Sequence, residues 1–241
     1  MSIHLVGGGW PPRDAGAVFV PFLEECAQRA SASGRAVPRV ALVLVVAERD
    51  GGERYRDDFE RMLRDAAPVE PVTSLLLEGE SLETAVLSEI DGLLIGGGLT
   101  PAYLDAVEPI IGQLRLLVAD GLPYLGYSAG AMIAADAAII GGWRIGEVPV
   151  CSEQCGEDLD QVTVAAGIGL VDLSIDVHAA QWGTLTRLIA AVEAGELDSG
   201  LAIDEHTALI VGEGALRVVG TGSVWSVHGG DDGVVVATIG Q

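Results

Sequence analysis

The chain has 241 residues, 49% of them hydrophobic, and a formal charge of −22 at pH 7. That length and apolar content suit a large buried core and argue against disorder, while the charge argues against nucleic acid, whose phosphates require clustered basic side chains. No apolar run approaches about 18 residues without a charge or glycine break, so no membrane span is expected.

Met1–Val6 has no basic flank, so no secretion leader is expected, and Ile3–Val6 reads as a buried strand ending in Gly7-Gly8-Gly9. Ala15–Ala32 has helical spacing, with Val18, Phe22, Cys26 and Ala30 on one face. Val40–Val46 is a continuous apolar strand, and Glu53–Asp65 is a charged helix. Val72–Leu77 and Gly92–Ile95 are further strands, and Thr100 and Pro101 open a helix over Ala102–Asp120. The apolar run that includes Leu122–Leu125 meets Gly126-Tyr127-Ser128-Ala129-Gly130, after which small residues predict another helix. Beyond Gly141 the pattern loosens into a long excursion over Gly142–Gln161. A strand at Leu173–Val177 ends at His178, a helix covers Leu185–Ala194, and a strand at Gly200–Ile203 ends at Asp204-Glu205. Short antiparallel strands follow, turning at Gly212–Gly214 and Gly229–Gly233.

Apolar strands alternating with amphipathic helices predict a mostly parallel central sheet covered on both faces, a three-layer α/β sandwich in one domain over 1–241. Ligands in such folds collect beyond the carboxyl ends of the strands. Three glycine-rich loops lie at such ends: Gly7–Gly9, Gly96–Gly98 and the turn at Ser128. Gly7-Gly8-Gly9-Trp10-Pro11-Pro12 lacks the G-x-G-x-x-G spacing, and the chain has no lysine for a Walker loop, so no nucleotide cofactor is expected.

All 13 basic residues are arginine, and asparagine is absent as well, a pattern that a base-composition bias explains. The absence excludes a Schiff-base lysine, a serine–lysine dyad and an asparagine-oriented triad. Cys26, Cys151 and Cys155 form no disulfide framework and fit a reducing, cytoplasmic compartment. Cys151 and Cys155 are expected as free thiols, and no metal site is expected.

The segment Gly126-Tyr127-Ser128-Ala129-Gly130 has the G-x-S-x-G spelling of a nucleophile elbow. A serine on a tight strand-to-helix turn is held in a strained conformation with its hydroxyl exposed, and only glycine-sized neighbours fit around it. The Ala129 amide opens the following helix and points where an oxyanion would form; a second donor would come from the loop containing Gly97 and Gly98. An ordinary tight turn would carry the same spelling. A serine hydroxyl needs a base. Among four histidines, His4 alternates with apolar residues inside the first strand, and His228 lies at a hairpin. His206 follows Glu205, while His178 ends a strand at the edge where Ser128 lies. His178 is the expected base and Glu205, at the next strand end, the expected orienting acid. Asp204 should point away from it.

The order serine, histidine, acid resembles the peptidase E and cyanophycinase family of serine peptidases, and differs from the serine, acid, histidine order of α/β-hydrolases. The likeness covers Gly7–Gly9, Ala47-Glu48 with Tyr55 and Phe59, Leu93–Thr100, Gly126–Ala131, Asp176-Val177-His178 with Arg187-Leu188, and Ile203–Leu209. It implies a class I glutamine amidotransferase-like, flavodoxin-like fold with Ser128 as nucleophile and His178 as base. The 27-residue step from His178 to Glu205 fits cyanophycinase-type members. Peptidase E-type members are expected to place the acid soon after the serine, where only Asp136 lies on the predicted helix, and Trp143 stands where that acid is expected. Two departures bear on specificity. Leu99 replaces an asparagine frequent in the glycine loop, and Trp182 and Thr184 stand where arginines are expected after the histidine, leaving Arg187. Trp182, Arg187 and Tyr127 are the expected substrate-binding residues, with Trp182 lining an apolar or aromatic subsite.

The expected protein is therefore a cytoplasmic serine hydrolase that cleaves short peptides or a related amide, without cofactor, with a homodimer left open. An esterase using His206 or His228, and a non-catalytic binding protein of the same fold, are the alternatives.

Overall fold

The computed structural model describes residues 2–10 and 15–240. Met1, named above at the N-terminus, and Pro11 and Pro12, named in the loop after the first strand, lie outside the described residues. In chain order the elements begin with β1 (Ile3–Val6), α1 (Ala15–Ala32), β2 (Arg39–Val46), α2 (Arg49–Ala66), β3 (Glu70–Leu77) and β4 (Gly92–Ile95). There follow α3 (Thr100–Val107), α4 (Ile111–Ala119), β5 (Tyr124–Tyr127), α5 (Ala129–Met132) and β6 (Ala137–Gly141). Two short strands, β7 (Arg144–Ile145) and β8 (Val148–Pro149), form a small hairpin before β9 (Thr163–Ala166). The remainder is β10 (Ser174–Val177), α6 (Leu185–Glu193), β11 (Ser199–Ile203), β12 (Thr207–Val211), β13 (Arg217–Gly220), β14 (Val224–Gly230) and β15 (Gly233–Ile239).

The central sheet has seven strands in the order β13-β12-β1-β5-β4-β2-β3. The run from β1 to β3 is parallel, and β12 and β13 add antiparallel strands beside β1. β2 shows why its sequence is apolar throughout. Val40, Leu42 and Leu44 enter a core with α1 and α2, whereas Ala41, Val43 and Val45 enter the core on the opposite face with α3. A strand sandwiched between helices has no solvent face, so alternation disappears.

His178 and Glu205 do not end strands of this central sheet. They follow β10 and β11, which belong to a second, four-stranded sheet in the order β10-β11-β14-β15. Residues 204–206 cross from β11 of the second sheet to β12 of the first. The two sheets are sewn together at this seam by the Gly7-Gly8 backbone: His178 N donates to Gly7 O at 3.0 Å, His206 N to Gly8 O at 2.9 Å, and Gly7 N to Thr207 O at 3.0 Å.

Two predicted helices change. The span Ala102–Asp120 divides into α3 and α4 around a 3₁₀ turn, Glu108–Ile110. Pro109 lies in that turn; its ring has no N–H to give and collides with the preceding helical turn. The helix after Ser128 stops at Met132, because the carbonyls of residues 133–136 accept from the strap 167–171 instead. Asp136 consequently stands on no helix. The excursion over Gly142–Gln161 contains the β7–β8 hairpin and a 3₁₀ turn at Glu153–Cys155. Among the described residues no helix is long and apolar enough to cross a membrane, no group of His, Cys, Asp or Glu side chains could hold a metal ion, and the three cysteines are free.

Candidate active site

Ser128 sits between β5 and α5 with φ +52° and ψ −108°, a region that non-glycine residues seldom occupy. The chain can bend there because its neighbours lack side chains. A Cβ on Gly126 would lie 2.3 Å from Gly130 O, and one on Gly130 would lie 2.3 Å from Ile95 O. Ser128 N donates to Val6 O at 2.9 Å, which pins the turn to the end of β1.

The Ser128 hydroxyl lies 2.8 Å from His178 Nε2. On the other side of the ring, His178 Nδ1 lies 2.8 Å from Glu205 Oε1. With Nδ1 bonded to a carboxylate, the proton belongs on Nδ1 and the lone pair on Nε2 faces the hydroxyl. Burial pushes the His178 pKa below its ordinary 6.5, and the hydrogen bond and charge of Glu205 offset this only in part. The ring is therefore neutral near pH 7, the state able to accept a proton. Glu205 is itself held by its backbone, whose N–H donates to Gln181 Oε1 at 2.9 Å. Asp204 turns away and accepts from Ala180 N, Ser223 N and Trp225 Nε1. The glycine triplet fits beneath this assembly. A Cβ on Gly8, whose φ is +91°, would lie 2.2 Å from His178 Cε1, and one on Gly9 would lie 2.6 Å from His206 Cε1.

The amides of Ala129 and Gly98 have no protein acceptor among the described residues. Gly97 contributes its bareness: a Cβ there would lie 2.9 Å from Ser128 Cβ. Its carbonyl accepts two phenol hydroxyls, Tyr55 at 3.1 Å and Tyr103 at 3.0 Å. Gly96 O accepts from Gly130 N at 3.0 Å, so the loop is also fastened to the elbow. Beside it runs a groove of about 400 Å³ whose lining includes Val46, Glu48, Tyr55, Glu78, Gly98 and Leu99.

Trp182 stacks on His178, ring centroids 4.5 Å apart and planes 20° apart, and is 48% exposed. It faces both the site and solvent. The other two expected substrate contacts are corrected by the structure. Arg187 is 2% exposed and forms a bidentate pair with Asp176 at 2.9 and 2.7 Å. Its remaining amino group donates to Gly142 O and Cys155 O. Burial alone would lower its pKa, but the Asp176 carboxylate more than compensates and the guanidinium stays charged. Arg187 thus binds the excursion to the strand preceding His178 and has no surface to offer a ligand. Tyr127 is 3% exposed, packs on Phe19 and Phe59, and donates its hydroxyl to Gly9 O. Adjacent residues at a strand end point to opposite faces; with Ser128 facing the site, Tyr127 faces the core.

Of the rival histidines, His206 stands against Gly9 beside Glu205, whereas the base on Ser128 is His178 and the other two lie elsewhere. His4 is fully buried near Glu25, and His228 is an exposed residue of β14 paired with Ser199 and Val235. Asp136 lies against the strap 167–171, and the carboxylate on His178 is that of Glu205. Sequence reasoning missed Gln181 and the paired phenols of Tyr55 and Tyr103. Tyr55 and Tyr103 are separated by 48 positions, and no local pattern marks two side chains that meet on one carbonyl.

Fold and site define a class: mixed α/β proteins with a serine–histidine–carboxylate chain at the carboxyl ends of strands from two adjoining sheets. The sequence model of peptidase family S51 matches residues 28–219, so the chain belongs to peptidase family S51. It is 34% identical over 185 residues to a cyanophycinase of Synechococcus elongatus, covering 72% of this chain and 52% of that protein. It is 31% identical over 178 residues to a cyanophycinase of Trichormus variabilis, covering 72% and 57%. The chain thus spans about half the length of the curated relatives it matches. In fold it is similar to a peptidase from an acI-B1 actinobacterium, with a TM-score of 0.65 at 16% identity over 100% of this chain and 95% of that one. It is also similar to a putative peptidase E protein of Listeria monocytogenes EGD-e, with a TM-score of 0.55 at 17% identity over 92% and 98%.

Proposed function

We propose that the protein is a serine hydrolase that cleaves the amide bonds of short peptides through an acyl-enzyme on Ser128. The observation that carries this reading is the unbroken chain from Ser128 Oγ to His178 Nε2 and from His178 Nδ1 to Glu205 Oε1, each link 2.8 Å. Ser128 Oγ attacks the scissile carbonyl carbon while its proton passes to His178 Nε2, and Glu205 stabilises the imidazolium that forms. The negative charge on the former carbonyl oxygen meets the free amides of Ala129 and Gly98. His178 then protonates the leaving nitrogen, the C–N bond breaks, and the acyl group remains on Ser128. Water, deprotonated by the same imidazole, releases the acid and restores the serine.

The substrate departs from an acidic one. Arg187 is committed to Asp176, no arginine stands at positions 182 or 184, and the groove beside the glycine loop carries Glu48 and Glu78. These features, with the net charge, disfavour an anionic side chain. Trp182 offers an apolar or aromatic platform in its place.

The test is covalent labelling of Ser128 by a fluorophosphonate, followed by a dipeptide library assayed with wild type and Ser128→Ala. Labelling at Ser128 that disappears in His178→Ala, with cleavage of at least one dipeptide by wild type alone, is expected. An unreactive Ser128 and an uncleaved library would instead identify a binding protein of the same fold.

A further inference from the structure

We infer that Tyr55 and Tyr103 are positioning residues for the oxyanion site: their two hydroxyls, meeting on the Gly97 carbonyl, fix the Gly97–Gly98 peptide so that the Gly98 N–H faces the Ser128 side. This rests on the hydrolase reading above.

A peptide unit is planar and trans, so the C=O of Gly97 and the N–H of Gly98 point in opposite directions. Whatever holds the carbonyl therefore aims the amide. Gly97 and Gly98 follow β4 without a regular ladder, and glycine backbone can rotate freely, so this plane has no intrinsic reason to hold one orientation. Two donors remove that freedom. Tyr55 reaches the carbonyl from α2 at 3.1 Å, and Tyr103 reaches it from α3 at 3.0 Å. A carbonyl oxygen has two lone pairs, and here both are occupied.

The phenols come from opposite faces of the sheet. Tyr103 is fully buried in the core that contains α3, and Tyr55 packs against the core that contains α1 and α2. Their hydroxyls are thus fixed by two separately packed helices, and the peptide is clamped from both. Gly97 approaches Ser128 so closely that a Cβ would lie 2.9 Å from Ser128 Cβ. The Gly98 amide, lacking a protein acceptor, is left directed away from the phenols. Hydrogen bonds accepted by a carbonyl also polarise its peptide and make the coupled N–H a stronger donor. Burial raises the pKa of both phenols, outweighing any hydrogen bond to the phenol oxygen, so both keep the proton they donate.

The test compares wild type with Tyr55→Phe, Tyr103→Phe and the double variant. Phenylalanine keeps the ring packing and removes only the donor. The probe is an alkyl fluorophosphonate, whose phosphoryl oxygen enters the oxyanion site as Ser128 Oγ bonds to phosphorus and fluoride leaves. Each single variant is expected to lower the limiting phosphonylation rate about tenfold, short of the roughly 10²–10³ lost when an oxyanion donor itself is removed. The pH midpoint of the reaction, set by His178, should not move. Wild-type rates in both single variants and the double variant would overturn the inference. So would a lowered rate accompanied by a shifted midpoint, which would indicate a disturbed Ser128–His178 pair. The half-buried Tyr55 keeps the test decisive if Tyr103→Phe fails to fold. Failure of wild type to label at all would be a different result, overturning the hydrolase reading and this inference with it.

Discussion

The indole of Trp182 lies almost parallel to the imidazole of His178, 4.5 Å from centroid to centroid. The ring that must accept the serine proton is thus roofed by an aromatic face that is itself half in water. The stacked indole covers one face of a ring whose burial holds it neutral. Trp182→Ala should move the pH midpoint of phosphonylation upward, toward the ordinary 6.5, and lower the limiting rate several-fold. A pH–rate profile measured on both proteins checks this, and an unmoved midpoint would show that the roof does not tune the base.

The direction of the His178 shift also fixes the wild-type profile. A base is active only when deprotonated, and a lowered pKa means deprotonation is complete at lower pH. The labelling rate should fall as pH is lowered, through a midpoint below 6.5. A midpoint above 6.5 would contradict the burial argument.

Glu205 holds Nδ1 of the ring and thereby the tautomer that presents Nε2 to Ser128. Glu205→Gln preserves size but not charge, and loss of the analogous group elsewhere costs about 10⁴ in rate. A fall of roughly 10³–10⁴ in labelling rate is expected, whereas Asp136→Asn should leave the rate unchanged. The reverse pattern would assign the acid to Asp136.

Arg187 and Asp176 form a buried ion pair whose members are nearly inaccessible. Arg187→Met leaves the buried Asp176 without its counter-charge and should cost about 3–5 kcal/mol in chemical denaturation. Replacing both, as Arg187→Met with Asp176→Leu, should recover most of that loss, because the penalty is an unpaired charge rather than a missing attraction.

Gly8→Ala should be more damaging than its size suggests. The new methyl would start 2.2 Å from His178 Cε1 on a backbone with φ +91°. Strain of this kind costs on the order of 1–3 kcal/mol. Labelling at Ser128 should be nearly abolished while the protein remains folded by circular dichroism.

Much of this arrangement was legible in the sequence. Ala15–Ala32 and Gly92–Ile95 have the expected bounds, since each is a single uninterrupted pattern. Ser128, His178 and Glu205 could be brought together by residue chemistry and strand ends alone. What escaped was decided by contacts distant in sequence. Nothing local says that the carbonyls after Met132 are claimed by the strap 167–171, so the small-residue run read as helix. Pro109 marks the break between α3 and α4, although apolar residues continue on both sides of it. Arg187 and Tyr127 were expected to face a ligand, and a sequence does not reveal that Asp176 and Gly9 already hold them. The second sheet was hidden for a similar reason: β10 and β11 are parallel neighbours, like strands of the central sheet, and only pairing with β14 separates them.

That division gives the catalytic distance a second meaning. Ser128 and the glycine loop are mounted on one sheet and His178 on another, joined at the Gly7-Gly8 backbone and by a shared core. The 2.8 Å between Oγ and Nε2 is therefore a gauge of how well the two sheets, like two plates, stay aligned. A slip of one ångström would open that contact beyond hydrogen-bonding reach while both plates kept their hydrogen bonds. Warming should silence the serine before either sheet melts, so that loss of labelling reports the parting of the plates and circular dichroism reports their dissolution.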